Sequence, residues 1–174
     1  MTPAPRGGAP APFRVCFVCT GNICRSPMAE AVFRDLIRRH GMERSLQVSS
    51  AATGDWHVGE NADHRTVTAL AARGYDGSEH RAKQFDPAWF DELDLVVAFD
   101  RGQARILRAQ APTELDHAKV HLLLGFDPES GDAIDVPDPY YSDAVHFAAV
   151  LAMIERASLA LFSQIEPGIR QGAP

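Results

Sequence analysis

The apolar positions of the chain alternate between short continuous runs and stripes with helical spacing. Residues 13–18 (FRVCFV) form an apolar run of buried-strand length. Residues 19–25 read as a loop, in which Gly21 and Asn22 both tolerate positive φ. Ser26 then stands where a helix N-cap belongs, with Pro27 at the first helical position. Met28, Val32, Phe33, Leu36 and Ile37 recur at helical spacing until Gly41 ends the run. The predicted order is strand, tight loop, helix.

The same reading predicts a second strand over residues 46–51 and a helix over 62–73, closed by Gly74. Residues 93–99 (LDLVVAF) read as a buried strand, 101–110 as a helix stopped before Pro112, and 120–124 as a fourth strand. Residues 126–139 carry Pro, Gly and Asp and read as a long loop. Ser142 is placed to cap a last helix ending near Ile165, with Val145, Ala149, Met153 and Ile154 on one face. Strands alternating with helices imply an α/β fold with a parallel sheet covered on both faces. Ligands of such sheets bind beyond the carboxyl ends of the strands, where the loop at Cys19 begins.

Length and composition narrow the class. A chain of 174 residues with 45% apolar content suits a single soluble domain with its own core. Residues 1–12 are expected to form a disordered tail, 13–166 the domain, and 167–174 a C-terminal tail. The first residues lack the apolar stretch of a secretory signal, and the apolar runs are too short to span a bilayer. A net charge of −6 argues against nucleic-acid binding. Cys16, Cys19 and Cys24 lie too close together to staple a domain, which points to a reducing compartment. A cytoplasmic monomer is therefore expected, with export lacking a signal peptide left open.

The chemistry concentrates in CTGNICRS, residues 19–26. A curled loop of successive backbone N–H groups forms an anion nest, and the following helix points its positive end at the same spot. Arg25 adds a fork of donors matched to two phosphate oxygens. Cys19 opens the loop, so its sulfur belongs at the floor of the bowl, where the thiolate is favoured. Such a thiolate is placed for in-line attack on a bound phosphoryl group, and the Ser26 hydroxyl can stabilise it. The C-x2-C spacing of Cys16 and Cys19 also occurs in zinc sites, but no further His or Cys follows at a suitable distance, so no metal is expected. Inside the strand, Cys16 reads as a small buried hydrophobe.

Residues 15–33 (VCFVCTGNICRSPMAEAVF) resemble the signature of low-molecular-weight protein-tyrosine phosphatases. SSAATGDWHVG (49–59), HRAKQF (80–85) and VPDPYY (136–141) resemble further family segments in the family's order. The resemblance spans about residues 13–165 and looks closest to the actinobacterial branch. It implies a three-layer sandwich with a four-stranded parallel sheet, and hydrolysis of phosphotyrosine in proteins or peptides through a phosphocysteine, without a cofactor. Cys19 matches the nucleophile, Arg25 the phosphate-binding arginine and Asp138 the general acid. Thr20, Gly21, Asn22, Ile23, Cys24, Arg25 and Ser26 match the phosphate-binding loop. Asn22, Ser26, Ser50 and His80 match the loop's bracing network, and Cys24 matches a second loop cysteine able to form a disulfide with Cys19 under oxidant. Trp56, Tyr140 and Tyr141 would wall the entrance, although Tyr141 equally suits a packing position.

Asp138 also has a reading of its own. A leaving phenolate needs a proton, and a carboxyl on a loop near the sheet edge could supply it. Alone, Asp-Pro equally reads as a turn. One segment departs from the family: in AFDRGQ (98–103) Asp100 matches the usual aspartate, but the asparagine that follows it elsewhere is replaced, which leaves the contacts of Asp100 open. Protein-arginine phosphatase is the nearest rival, but Ile23 offers a guanidinium no hydrogen bond. Arsenate reduction would need cysteines after Cys24, and a silent phosphotyrosine-binding module would be expected to lack Cys19, Arg25 or Asp138.

Overall fold

The computed structural model describes residues 11–172. The tail expected over residues 1–12 therefore lies almost entirely outside the described residues. Four parallel strands, β1 (Phe13–Cys19), β2 (Leu46–Ala52), β3 (Leu95–Ala98) and β4 (Val120–Leu122), lie in the order β2-β1-β3-β4. The helices are α1 (Arg25–Arg39), α2 (His64–Ala72), α3 (Arg101–Gln110), the single turn α4 (Glu114–His117) and α5 (Ala144–Gly172).

Strand alternation builds the two cores. Val15, Phe17 and Cys19 of β1 face one side with Leu95 and Val97 of β3, and α1, α2 and α5 cover them. Cys16, Val18, Val96 and Ala98 face the other side, where Phe90 and Leu107 cover them. Cys16 and Cys19 therefore point to opposite faces of the sheet and cannot share a metal ion. Phe17 meets Phe33 edge-on at 5.4 Å and lies 6.2 Å from Phe99, so one ring ties β1 to α1 and to the end of β3.

Strand order sets the site. β1 has β2 on one side and β3 on the other, so the chain reverses its direction of travel across the sheet at β1. A crevice opens at the carboxyl ends of β1 and β3 because the connections that leave these two strands go to opposite faces of the sheet. Cys19 is the last residue of β1, paired with Ala52.

Several element boundaries differ from the sequence expectation, each for a local reason. Ser26 does not cap α1: the helix begins at Arg25, Cys24 occupies the cap position without a side-chain bond, and the Ser26 hydroxyl is drawn to Cys19 instead. The α2 helix starts at His64 because the Asp63 carboxylate accepts the Arg65 N–H. Strand β3 is confined to Leu95–Ala98, since Asp94 turns back to exchange hydrogen bonds with the backbone of Arg14. After Leu122 the fourth strand tightens into a 3-10 turn.

The last helix differs most. Asp143, rather than Ser142, accepts the His146 N–H at its start. Its buried face is Phe147, Val150, Leu151, Ile154, Ala157, Leu161 and Phe162, while Val145 and Ala149 face outward. The helix passes Ile165 and Pro167 to reach Gly172, so the tail expected over 167–174 is helical as far as it is described. Arg170 holds this end by donating to Glu166 at 2.7 Å and to the His40 carbonyl at 3.1 Å. By length and composition alone α5 is apolar enough to cross a membrane, but one whole face of it forms the domain core.

Phe17→Ala should lower the unfolding free energy by about 3–5 kcal/mol, the usual cost of emptying a buried phenylalanine site. Urea titration checks this against Val58→Ala at an exposed position, where a change within about 0.5 kcal/mol is expected.

Candidate active site

The loop leaving β1 curls because one residue accepts a left-handed backbone. Asn22 has φ of 58°, and it alone among the described non-glycine residues is positive. Every polar group of Asn22 is engaged. Its N–H donates to the Cys19 sulfur at 3.3 Å, and its carbonyl accepts from His80 Nε2 at 2.6 Å. Its side-chain oxygen accepts the Lys83 N–H at 3.0 Å, and Nδ2 donates to Ser26 Oγ at 2.8 Å and Ser50 Oγ at 2.9 Å.

Donor and acceptor roles then follow from the distances. Ser26 Oγ accepts from Asn22, and its own proton faces Cys19 Sγ at 2.9 Å, a closer acceptor than the Ala51 carbonyl at 3.4 Å. Ser50 likewise accepts from Asn22 and donates to Glu30 at 2.7 Å. Glu30 also lies 3.5 Å from His80 Nδ1. Burial alone would raise the Glu30 carboxyl, but the His80 and Ser50 hydrogen bonds and the Arg34 guanidinium together hold it below the ordinary glutamate value.

Cys19 sits on the floor of a pocket of roughly 430 Å3 lined by Thr20, Gly21, Ile23, Cys24, Arg25, Trp56, His57, Asp138, Tyr140 and Tyr141. Among the described residues, no backbone acceptor meets the N–H groups of Gly21, Ile23, Cys24 and Arg25. The cup is therefore built to satisfy them with an anion.

Arg25 is 3% exposed and anchored on one nitrogen. Its Nη1 donates to Asp100 Oδ2 and to the Val136 carbonyl, both at 3.0 Å. Nη2 lies 3.7 Å from Asp138 Oδ2, so the Nε and Nη2 edge is left for phosphate oxygens. The contacts of Asp100, left open by the sequence, are now assigned: Oδ2 holds Arg25 while Oδ1 caps α3 at the Gln103 N–H. Gln103 returns its side chain to the Asp100 and Phe99 N–H groups and donates to Thr20 Oγ1 at 3.1 Å.

Asp138 is half exposed at the rim and accepts the Tyr140 N–H at 3.1 Å. Tyr140 and Tyr141 meet edge-on at 4.9 Å. Trp56 is 68% and Tyr141 93% exposed, which suits walls rather than packing residues. Trp56 folds back over Gly54, where a Cβ would stand 1.7 Å from the indole ring, so any side chain there would push the indole out of this position. Every site residue expected from the sequence is thus gathered at this cup or in its bracing. Cys24 is a free, buried thiol whose pKa is pushed up to about 12 by burial.

Sequence reasoning did not single out Glu30, His57, Arg65 or Gln103. Gln103 carried a signal, because Asp followed three residues later by Gln is the pattern of a capping box. His57 joins the wall only because the loop after Gly54 folds back, and Glu30 lies one helical turn beyond Ser26; neither geometry is written in a short motif.

These features define a class: α/β proteins that hold a phosphoryl group in a loop-and-helix cup above a cysteine thiol. The model of the low molecular weight phosphotyrosine protein phosphatase family matches residues 14–170. A low molecular weight protein-tyrosine-phosphatase of Streptomyces coelicolor is 54% identical over 154 residues, covering 88% of this chain and 93% of its own. A protein tyrosine phosphatase of Entamoeba histolytica superposes with TM-score 0.84 at 31% identity, over 90% of this chain and 98% of that one. A cysteine-to-serine mutant of the arginine phosphatase YwlE, with its active-site serine phosphorylated, gives TM-score 0.78 at 27% identity over 88% and 96%. The chain belongs to the low molecular weight protein-tyrosine phosphatase family and is a phosphatase of that kind.

Because Glu30 lies below its unfolded value of about 4.5, its stabilising contribution is complete above that pH and disappears as pH falls through the lower folded value. Glu30→Gln should flatten the loss of stability as pH falls below about 4.5. Denaturant midpoints across that range check it; parallel curves for the two proteins would remove the assignment.

Proposed function

We propose that the chain hydrolyses phosphotyrosine in proteins through a phosphocysteine. The observation that carries this reading is the Cys19 sulfur, 2.9 Å from the Ser26 hydroxyl and 3.3 Å from the Asn22 N–H, beneath a cup whose free donors include Arg25. In the first step the Cys19 thiolate attacks phosphorus, the P–O bond to the phenol breaks, and Asp138 gives its proton to the leaving oxygen. Then a water attacks phosphorus, Asp138 takes a proton from it, and the S–P bond breaks to return thiolate and release inorganic phosphate. The Ser26 hydroxyl steadies the sulfur anion at both ends of the cycle. A covalent phospho-enzyme on this fold is supported by the YwlE structure, in which a serine substituted for the active-site cysteine carries the phosphoryl group.

Specificity follows from the walls. Ile23, Trp56, Tyr140 and Tyr141 offer apolar faces to a phenyl ring. A phosphoarginine guanidinium would leave its N–H groups unpaired beside Ile23, which disfavours the arginine-phosphatase reading.

Cys19→Ser should abolish turnover while inorganic phosphate still binds, measured by phosphate release and by isothermal titration. Substantial turnover in that variant rules out the sulfur as nucleophile. Asp138→Ala should lower kcat/KM for phenyl phosphate about 10²-fold and that for 4-nitrophenyl phosphate much less, since nitrophenolate leaves without a proton. Equal losses count against the acid. Trp56→Ala should raise KM for a phosphotyrosine peptide several-fold, roughly the 0.5–1.5 kcal/mol of a lost aromatic contact, and leave inhibition by phosphate unchanged.

A further inference from the structure

Arg65 lies in the first turn of α2, outside the pocket lining, yet it is bonded to both halves of the site. Its Nε and Nη2 clamp the Asp63 carboxylate at 3.0 and 2.8 Å. Its Nη1 donates to the Ser142 carbonyl and Nη2 to the Tyr140 carbonyl, both at 2.9 Å. The guanidinium carbon stands 4.4 Å from the Phe147 ring centre and 5.7 Å from that of Tyr140. The Asp63 N–H in turn donates to the Ile23 carbonyl at 2.9 Å. An unbroken path therefore runs from the phosphate loop at Ile23, through Asp63 and Arg65, to the segment that carries Asp138.

That segment has few other anchors. On its near side Val136 is tied by its N–H to the Phe99 carbonyl at 2.8 Å and by its carbonyl to Arg25. On its far side the carbonyls of Tyr140 and Ser142 are tied to Arg65. Asp138 lies between the two tethers, and its carboxylate is held by the N–H of Tyr140, the residue whose carbonyl Arg65 holds. The Arg65 hydrogen bond keeps the Asp63 carboxyl below the ordinary aspartate range, so the clamp stays an ion pair at neutral pH.

We propose that Arg65 is a positioning residue that fixes the separation between the phosphate loop and the general acid by pinning the carbonyls of Tyr140 and Ser142. The inference rests on the assignment of Asp138 as the acid. Only arginine has a planar fork with enough donors to grip a carboxylate and two carbonyls together; lysine keeps the charge but not the geometry.

The test compares Arg65→Gln, Arg65→Lys and Asp138→Ala by kcat/KM on a series of aryl phosphates, with thermal midpoints and inhibition by inorganic phosphate recorded in parallel. Arg65→Gln should lose about tenfold on phenyl phosphate, little on 4-nitrophenyl phosphate, and keep its phosphate inhibition constant. Arg65→Lys should fall between Gln and wild type. Adding Arg65→Gln to Asp138→Ala should cost little more, because both act on one proton transfer. A purely structural role would lower the thermal midpoint and slow all esters alike, and that result overturns the proposal. If Asp138→Ala discriminates between leaving groups and the Arg65 variants do not, the positioning role fails and the acid stands. If Asp138→Ala itself does not discriminate, both assignments fall. Should Arg65→Gln not fold, the Arg65→Lys comparison decides by the same criterion.

Discussion

The site depends on a single backbone conformation, the left-handed turn at Asn22. An L-residue there costs about 1–2 kcal/mol of steric strain, which glycine would avoid. Glycine, however, has no side-chain amide to hold the curl closed. Asn22 makes five hydrogen bonds through its backbone and side chain, and each contributes about 0.5–1.5 kcal/mol. The three side-chain bonds, which glycine could not make, offset the strain at about 1 kcal/mol each. The same turn carries the Asn22 N–H to the Cys19 sulfur and, through Ser26, brings a second donor to it. Loop shape and sulfur environment are one interaction seen from two sides.

Distant elements supply the partners that close this turn. Ser50 comes from β2, Glu30 from α1, and His80 and Lys83 from the connection between α2 and β3. A buried network of this kind rewards complete satisfaction and penalises a missing member, because the orphaned group remains desolvated. The cup can therefore form only when sheet and helices are in place, and the fold acts as the loop's scaffold rather than its neighbour. This also explains why Ser26 gives up the capping role its position suggests. The cap would satisfy one α1 N–H, whereas the bond to Cys19 finishes the chain of donors that begins at Asn22.

Legibility in the sequence tracks how local each cause is. The parallel α/β architecture could be read from period and punctuation, since Gly41 and Gly74 both end helices with positive φ. Helix α3 was legible to the residue because its causes are local: Pro112 stands just beyond its end, and the Asp100–Gln103 capping box lies within four positions of its start. Boundaries set by contacts far along the chain were not: β3 is cut short by Asp94 meeting Arg14, and α5 is prolonged past Pro167 by the docking of Arg170 on His40. The chemistry followed the same rule. The residues 19–26 that curl around one anion are contiguous and could be named, together with Asp138 through its resemblance. Glu30 and Arg65 join the site only through tertiary bonds, and nothing in their immediate neighbours marks them.

The contrast between Arg25 and Asp138 shows why the site has two kinds of anchorage. The Arg25 side chain is 4% exposed and fixed by Asp100 and Val136, while that of Asp138 is 47% exposed on a segment of turns. A group that must stabilise developing charge works best when it is already oriented and dry, since no reorganisation is then needed at the moment of reaction. In the proposed mechanism Asp138 protonates a departing phenol and later activates a water, so it must meet two different partners on the solvent side of phosphorus. Burying it as deeply as Arg25 would exclude the water. Leaving it on an untethered loop would lose the benefit of orientation, which is worth several kcal/mol in well-placed reactants. Anchoring the backbone on both sides while leaving the carboxyl at the rim meets both demands.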